Sequence, residues 1–188
     1  MEFILASASP RRKELLELAG IAFRAVPSDV DELLDESLTP SEQVMDLAQQ
    51  KARDLGEKFP DKLIIGADTI VVIAEKILGK PQNEADAVLM LKTLSGRKHQ
   101  VMTAVCILGI SKSIERVFVN CTDVSFYGMD EDWIWDYVKS GQPMDKAGSY
   151  GIQDKGFELV EKIEGDYYSV MGLPISQLKR ELKALGLI

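Results

Sequence analysis

The chain has 188 residues, 46% hydrophobic and 28% charged, which is ample apolar material for one packed domain. Its formal net charge of -8 excludes a general affinity for nucleic acid or an anionic membrane, since both require a positive field, but leaves room for a small local anion site. No apolar run approaches the ~20 residues of a membrane span, and the stretch before Ser7 lacks the basic start and length of a secretory leader.

In chain order, the pattern predicts a short buried strand over 2–6. A helix follows from Pro10 to about Ala19, with Ser9 as N-cap and Gly20 as its stop. A second strand is expected over 22–27. Thr39-Pro40-Ser41-Glu42 is a capping box with proline in the first turn, and Val44, Leu47, Ala48, Ala52 and Leu55 then recur at helical spacing. Strands are predicted over 63–67 and 69–74, with room for a kink or break at Asp68, then a turn at 75–76 and a short strand at 77–78. Asn83 caps a helix ending near Gly96. Segments 99–110 and 114–126 alternate and read as paired strands. Asp130 caps a helix carrying Trp133, Ile134, Tyr137 and Val138. The last strands are predicted over 157–163 and 167–171, and Pro174 opens a closing helix with Leu178, Leu182 and Leu185 on one face. βα units mixed with hairpins predict an α/β fold: one domain over 1–188 with a mixed, twisted sheet flanked by helices.

Five segments could carry chemistry. Ser7-Ala8-Ser9-Pro10-Arg11-Arg12 follows a strand and opens a helix, where unpaired N–H groups attract anions. Two arginines beside a positive helix end are a misfit that a phosphate chain would repay; the alternative is two solvated arginines. Lys51 falls on the apolar stripe of its helix, so it must snorkel out or meet a buried anion. Asp68, in Gly66-Ala67-Asp68-Thr69, interrupts strand-forming residues and reads as a metal ligand or general base, or else as a turn residue. One of Asp29, Asp31 and Glu32 could share Mg²⁺ with it. Lys80, between Gly79 and Pro81, either reaches a phosphate or is a surface lysine. In Asp145–Gln153, small residues permit close backbone approach, and the donor and acceptor of Gln153 suit the edge of a base. His99 has no sequence partner for a triad and reads as structural. Cys106 and Cys121 lack metal-ligand spacing and read as buried free thiols, which points to the cytoplasm. Basic groups with a metal-binding carboxylate are what a triphosphate requires.

These motifs resemble the Maf family of nucleotide pyrophosphatases: SASPRR (7–12), VDE (30–32), QKA (50–52), GADT (66–69), LGKP (78–81), SGRKHQVMTAV (95–105), DKAGSYGIQ (145–153) and VMGLP (170–174). The resemblance implies an α/β fold similar to inosine triphosphate pyrophosphatases, with an elongated mixed sheet and a cleft between two lobes. It implies hydrolysis of a nucleoside triphosphate to monophosphate and pyrophosphate with Mg²⁺ or Mn²⁺. By the same resemblance Asp68 is the catalytic base, Glu32 and Asp68 hold metal, and Lys51 and Lys80 join in catalysis. Ser7, Arg11, Arg12, Thr69, Lys146 and Gln153 bind substrate. Arg11, Thr69 and Gln153 place the chain with the dTTP/UTP branch. Gln142 and Asp154 depart from the usual pattern, and Asp154 adjoins Gln153 in the loop. The resemblance leaves a homodimer open. A different class of reading is a nucleotide-binding regulator of septation without catalysis.

Overall fold

The computed structural model describes residues 2–30, 35 and 37–188. Among the described residues, seven strands, β1 (Phe3–Ala6), β2 (Phe23–Ala25), β3 (Leu63–Ile73), β4 (Lys76–Leu78), β5 (Lys98–Gly109), β6 (Ile114–Phe126) and β7 (Val160–Glu164), form one mixed sheet in the order β2-β1-β3-β5-β6-β7, with β4 paired to β3. By contacts the chain divides into two compact units, Met1–Asp68 with Thr103–Asn120 and Gly172–Ile188, and Thr69–Met102 with Cys121–Met171.

In the first unit, β1 (Phe3–Ala6) is buried along its length because it is flanked on both sides by parallel partners, β2 (Phe23–Ala25) and the start of β3 (Leu63–Ile73). Helix α1 (Pro10–Leu18) follows β1 and stops before Gly20, which turns the chain at φ +68°. Ser9 occupies the N-cap position, but its side chain makes no cap; Ser7 Oγ instead accepts the Ser9 N–H at 3.1 Å. Helix α2 (Pro40–Lys58) begins with the reciprocal capping box read from the sequence and buries Val44, Leu47, Ala48, Ala52 and Leu55. The closing helix α6 (Ile175–Ala184) buries Ile175, Leu178 and Leu182.

In the second unit, the end of β3 turns through Ala74 and Glu75 (φ 47° and 65°) into β4 (Lys76–Leu78). Two successive positive φ values match the right-handed twist of a tight hairpin. Helices α3 (Glu84–Leu94) and α4 (Glu131–Lys139) are N-capped by the side chains of Asn83 and Asp130. Val71, Ile73, Leu91, Phe126, Ile134, Tyr137 and Tyr150 lie in its apolar core. Strand β7 (Val160–Glu164) pairs antiparallel with the end of β6 (Ile114–Phe126), and the remaining long strand is β5 (Lys98–Gly109).

Four expectations need correction. The strand expected over 157–163 begins only at Val160, because Asp154–Glu158 closes into a 3-10 turn. Strand β3 runs through Asp68 without a break, because the residues on either side keep the buried ladder intact. Tyr167–Met171 is a short helix, α5, since Asp166 Oδ1 accepts the N–H of Tyr168 at 2.9 Å and of Ser169 at 3.4 Å. That carboxylate satisfies donors a strand would have left to a neighbour. Cys106 is a buried free thiol as expected, but Cys121 is exposed.

Candidate active site

The close approach of α2 to β3 is decided by Gly66. A Cβ there would lie 2.4 Å from the Ala48 carbonyl oxygen and 2.8 Å from the Ala52 nitrogen, both backbone atoms. Only glycine lets helix and strand come this near. Asp68 lies two residues further along the strand, on the same face as Gly66. Lys51, adjacent to Ala52, meets it: the Lys51 ammonium donates to Asp68 Oδ1, with the side chains only 14% and 12% exposed. Lys51 therefore does not snorkel; its stem fills the apolar stripe and its charge meets a buried anion.

Arg12 is 9% exposed, which rules out the solvated reading for it. Its Nε donates to the Gly172 carbonyl at 2.8 Å and its Nη1 to Ser7 Oγ at 3.2 Å. The guanidinium thus ties the loop after β1 to the VMGLP segment, 160 residues away in sequence. Arg11, one residue earlier on α1, is half-buried. The first unit accordingly brings Ser7 to Arg12 and Lys51 to Asp68. Glu32 and Asp31 lie outside the described residues.

In the second unit, the Gly148 N–H donates to the Gly79 carbonyl at 3.0 Å, which joins the LGKP segment to the DKAGSYGIQ loop. Gly148 has φ +67°, and a Cβ there would press to 2.9 Å on Val71 Cγ2. Lys80, next to Gly79, is exposed. Lys146 is mostly buried: its ammonium donates to Asp145 Oδ1 at 2.7 Å and to the Gln142 carbonyl. Its stem lies over Gly151, where a Cβ would be 2.7 Å from Lys146 Cε. Thr69 and Gln153 are half-buried. His99 is 2% exposed and packs edge-on against Phe126 and Tyr150, as a structural residue should. Burial pushes its ring down to about 4, so the imidazole is neutral near pH 7.

Two functional positions are hidden in the sequence: Gly66, which lets α2 close on β3, and Gly172, whose carbonyl receives Arg12. Both lie inside the GADT and VMGLP motifs, and glycine in a buried strand is itself a sign of close backbone approach.

The chain also has clear relatives. The family model for Maf-like proteins matches residues 2–185. A dTTP/UTP pyrophosphatase of Bacillus cereus is 52% identical over 186 residues, covering 99% of this chain and 96% of that protein. A dTTP/UTP pyrophosphatase of Bacillus mycoides is 52% identical over 182 residues, covering 97% and 94%. Among solved structures, the Staphylococcus aureus Ham1 protein aligns with a TM-score of 0.51 at 14% identity, over 85% of this chain and 80% of that one. At that identity the likeness speaks for the fold alone.

Proposed function

The chain belongs to the Maf family, and from that premise we propose that it hydrolyses dTTP and UTP, or modified pyrimidine nucleotides, to the monophosphate and pyrophosphate. The observation that carries the reading is the buried pair of Lys51 and Asp68, held by the approach that Gly66 permits. A carboxylate and an ammonium kept together on rigid elements suit a reaction that needs both a base and a cation beside a polyanion.

A divalent cation, Mg²⁺ or Mn²⁺, fits the donor set. Asp68 offers a hard oxygen ligand, and the described residues contain no cluster of three potential ligands that would hold a metal unaided. Mg²⁺ is commonly held by one or two carboxylates, with substrate phosphates completing its shell. Asp68 and Glu32 are the proposed holders. When bound, the ion would neutralise phosphate charge and polarise the phosphoryl oxygens.

The proposed reaction uses the chain's own groups as follows. The Asp68 carboxylate orients a water and accepts its proton. The water oxygen bonds to the α-phosphorus, and the bond from that phosphorus to the bridging oxygen breaks, releasing pyrophosphate. Lys51 and Lys80 offset the charge that develops on the bridging oxygen. Ser7, Arg11 and Arg12 contact the phosphates, and the rigid seating of Arg12 means that little rotamer freedom is lost on binding. Thr69, Lys146 and Gln153 are assigned to the remainder of the substrate, with Gln153 at the base edge. Residues 1–188 act as one catalytic domain in this reading, with a homodimer carried by resemblance alone. Its setting is the cytoplasm, in keeping with two free thiols; among the described residues no helix is long and apolar enough to cross a membrane.

The test is product analysis with purified protein and Mg²⁺ against dTTP, UTP, CTP, GTP and 7-methyl-GTP. The expected result is dTMP and UMP with pyrophosphate, lost with chelator and reduced at least about 10²-fold in Asp68→Asn. Near-normal turnover by a folded Asp68→Asn would sink the assignment of the base. Binding without turnover of any nucleotide would favour the regulator.

A further inference from the structure

Gln153 poses a problem for base recognition that its own chemistry does not solve. A carboxamide has an oxygen that accepts and a nitrogen that donates, and a half-turn exchanges the two. Uracil and cytosine differ by just such an exchange of donor and acceptor along one edge. A glutamine on a loose loop would suit either base. Discrimination requires the carboxamide to keep one orientation, and a fixed backbone beneath it is the first condition for that.

The loop is held at two successive residues. Tyr150 Oη lies 2.8 Å from His99 Nε2 on β5, and both residues are buried. Their rings, with that of Phe126, form a cluster of three edge-on contacts at 4.6 to 5.4 Å between centroids. The next residue, Gly151, donates its N–H to Tyr137 Oη on α4 at 3.2 Å. Beyond it the chain folds tightly back. The Gly156 N–H donates to the Gln153 carbonyl at 3.1 Å, and a Cβ on Gly156 would fall 1.6 Å from the Gly151 carbonyl oxygen. Gln153 thus sits within a closed turn whose entry is pinned by two buried aromatic residues.

We propose that His99 and Tyr150 form a positioning pair that fixes the backbone carrying Gln153, so that its carboxamide meets the base edge from one position, and thereby supports discrimination between uracil and cytosine nucleotides. The proposal rests on the reading of Gln153 as the base-edge residue. His99 touches no reacting group in it and acts only through the loop. Because the bond is buried, removing one partner strands the other in an apolar cluster, so the pair holds one geometry instead of several.

The experiment measures kcat/KM for UTP and for CTP in wild type, Tyr150→Phe, His99→Leu, His99→Gln, Gln153→Ala and the Tyr150→Phe/Gln153→Ala double variant, with the thermal midpoint of each. Tyr150→Phe removes one oxygen and keeps the ring, so it tests the pair even where His99→Leu fails to fold. The UTP/CTP ratio is expected to fall about tenfold in Tyr150→Phe and His99→Leu, or to unity where it starts smaller. His99→Gln, which can still hydrogen-bond Tyr150, keeps the ratio. The double variant shows the same ratio as Gln153→Ala alone, because the pair has nothing left to position. A purely structural role predicts equal losses for both substrates and an unmoved ratio, which would overturn the proposal. A wild-type ratio near unity would overturn it too. A wild type inactive on both dTTP and UTP would instead overturn the functional reading beneath it.

Discussion

Lys51 and Asp68 stand in for each other's solvent. With both side chains mostly withdrawn from water, each ion is tolerated because the other is there, so the pair is a poor source of net stability but a severe loss if halved. Lys51→Met should therefore cost about 3 kcal/mol in urea denaturation, since it strands a buried carboxylate. Adding Asp68→Asn to Lys51→Met should recover a substantial part of that loss, although both variants lose activity. A double variant no more stable than the single one would mean that the carboxylate is not dependent on its lysine. The sequence placed Lys51 on the apolar stripe but left snorkelling open, because helical spacing carries no information about what a helix packs against. Asp68, seventeen residues on, decided it.

The element that carries Lys51 is seated by Gly66. In Gly66→Ala the new methyl would meet backbone atoms of α2 at 2.4 and 2.8 Å, and backbone cannot rotate away as a side chain can. The expected loss is about 3 kcal/mol of stability. Activity should fall beyond the loss of folded protein, because α2 moves off β3 and takes Lys51 with it. Gly79→Ala is the control for stability: nothing lies within 4 Å of its would-be Cβ, and its thermal midpoint should stay near that of wild type. Local chemistry made several elements legible. The capping box at Thr39, the side-chain caps at Asn83 and Asp130, and the stop at Gly20 are each written within a few residues. Tyr167–Met171 reads as a strand from its aromatic, β-prone run, but the Asp166 carboxylate caps it as a helix. Strand β3 continues through Asp68 because its neighbours keep the buried ladder, and the buried carboxylate is tolerated there because it meets a lysine on another element.

At the scale of the whole molecule, buried titratable groups bound the pH range of stability. His99 is held down to about 4 from an ordinary 6.5 by burial. Below pH 6.5 the unfolded chain takes up a proton that the folded chain refuses, so stability falls as pH drops towards 4, by up to about 3 kcal/mol. Burial pushes Cys106 up from 9.0 to about 12. Above pH 9 the unfolded thiol releases a proton that the folded one keeps, and stability falls again; Tyr150, also raised by burial, acts in the same direction. The urea midpoint should be flat between about pH 6.5 and 9 and already declining at pH 5.5, before most carboxylates protonate. His99→Gln should remove the decline between 6.5 and 4.5; its persistence would place the acid sensitivity elsewhere. The sequence by itself determined the α/β class, most helix boundaries and the residues worth watching, because propensity, caps and hydrophobic period are local. Only the tertiary structure decided that Lys51 meets Asp68, that Arg12 reaches Gly172 and that His99 holds Tyr150. Those pairings join residues far apart in the chain, and sheet order and the close approaches permitted by glycine bring them together.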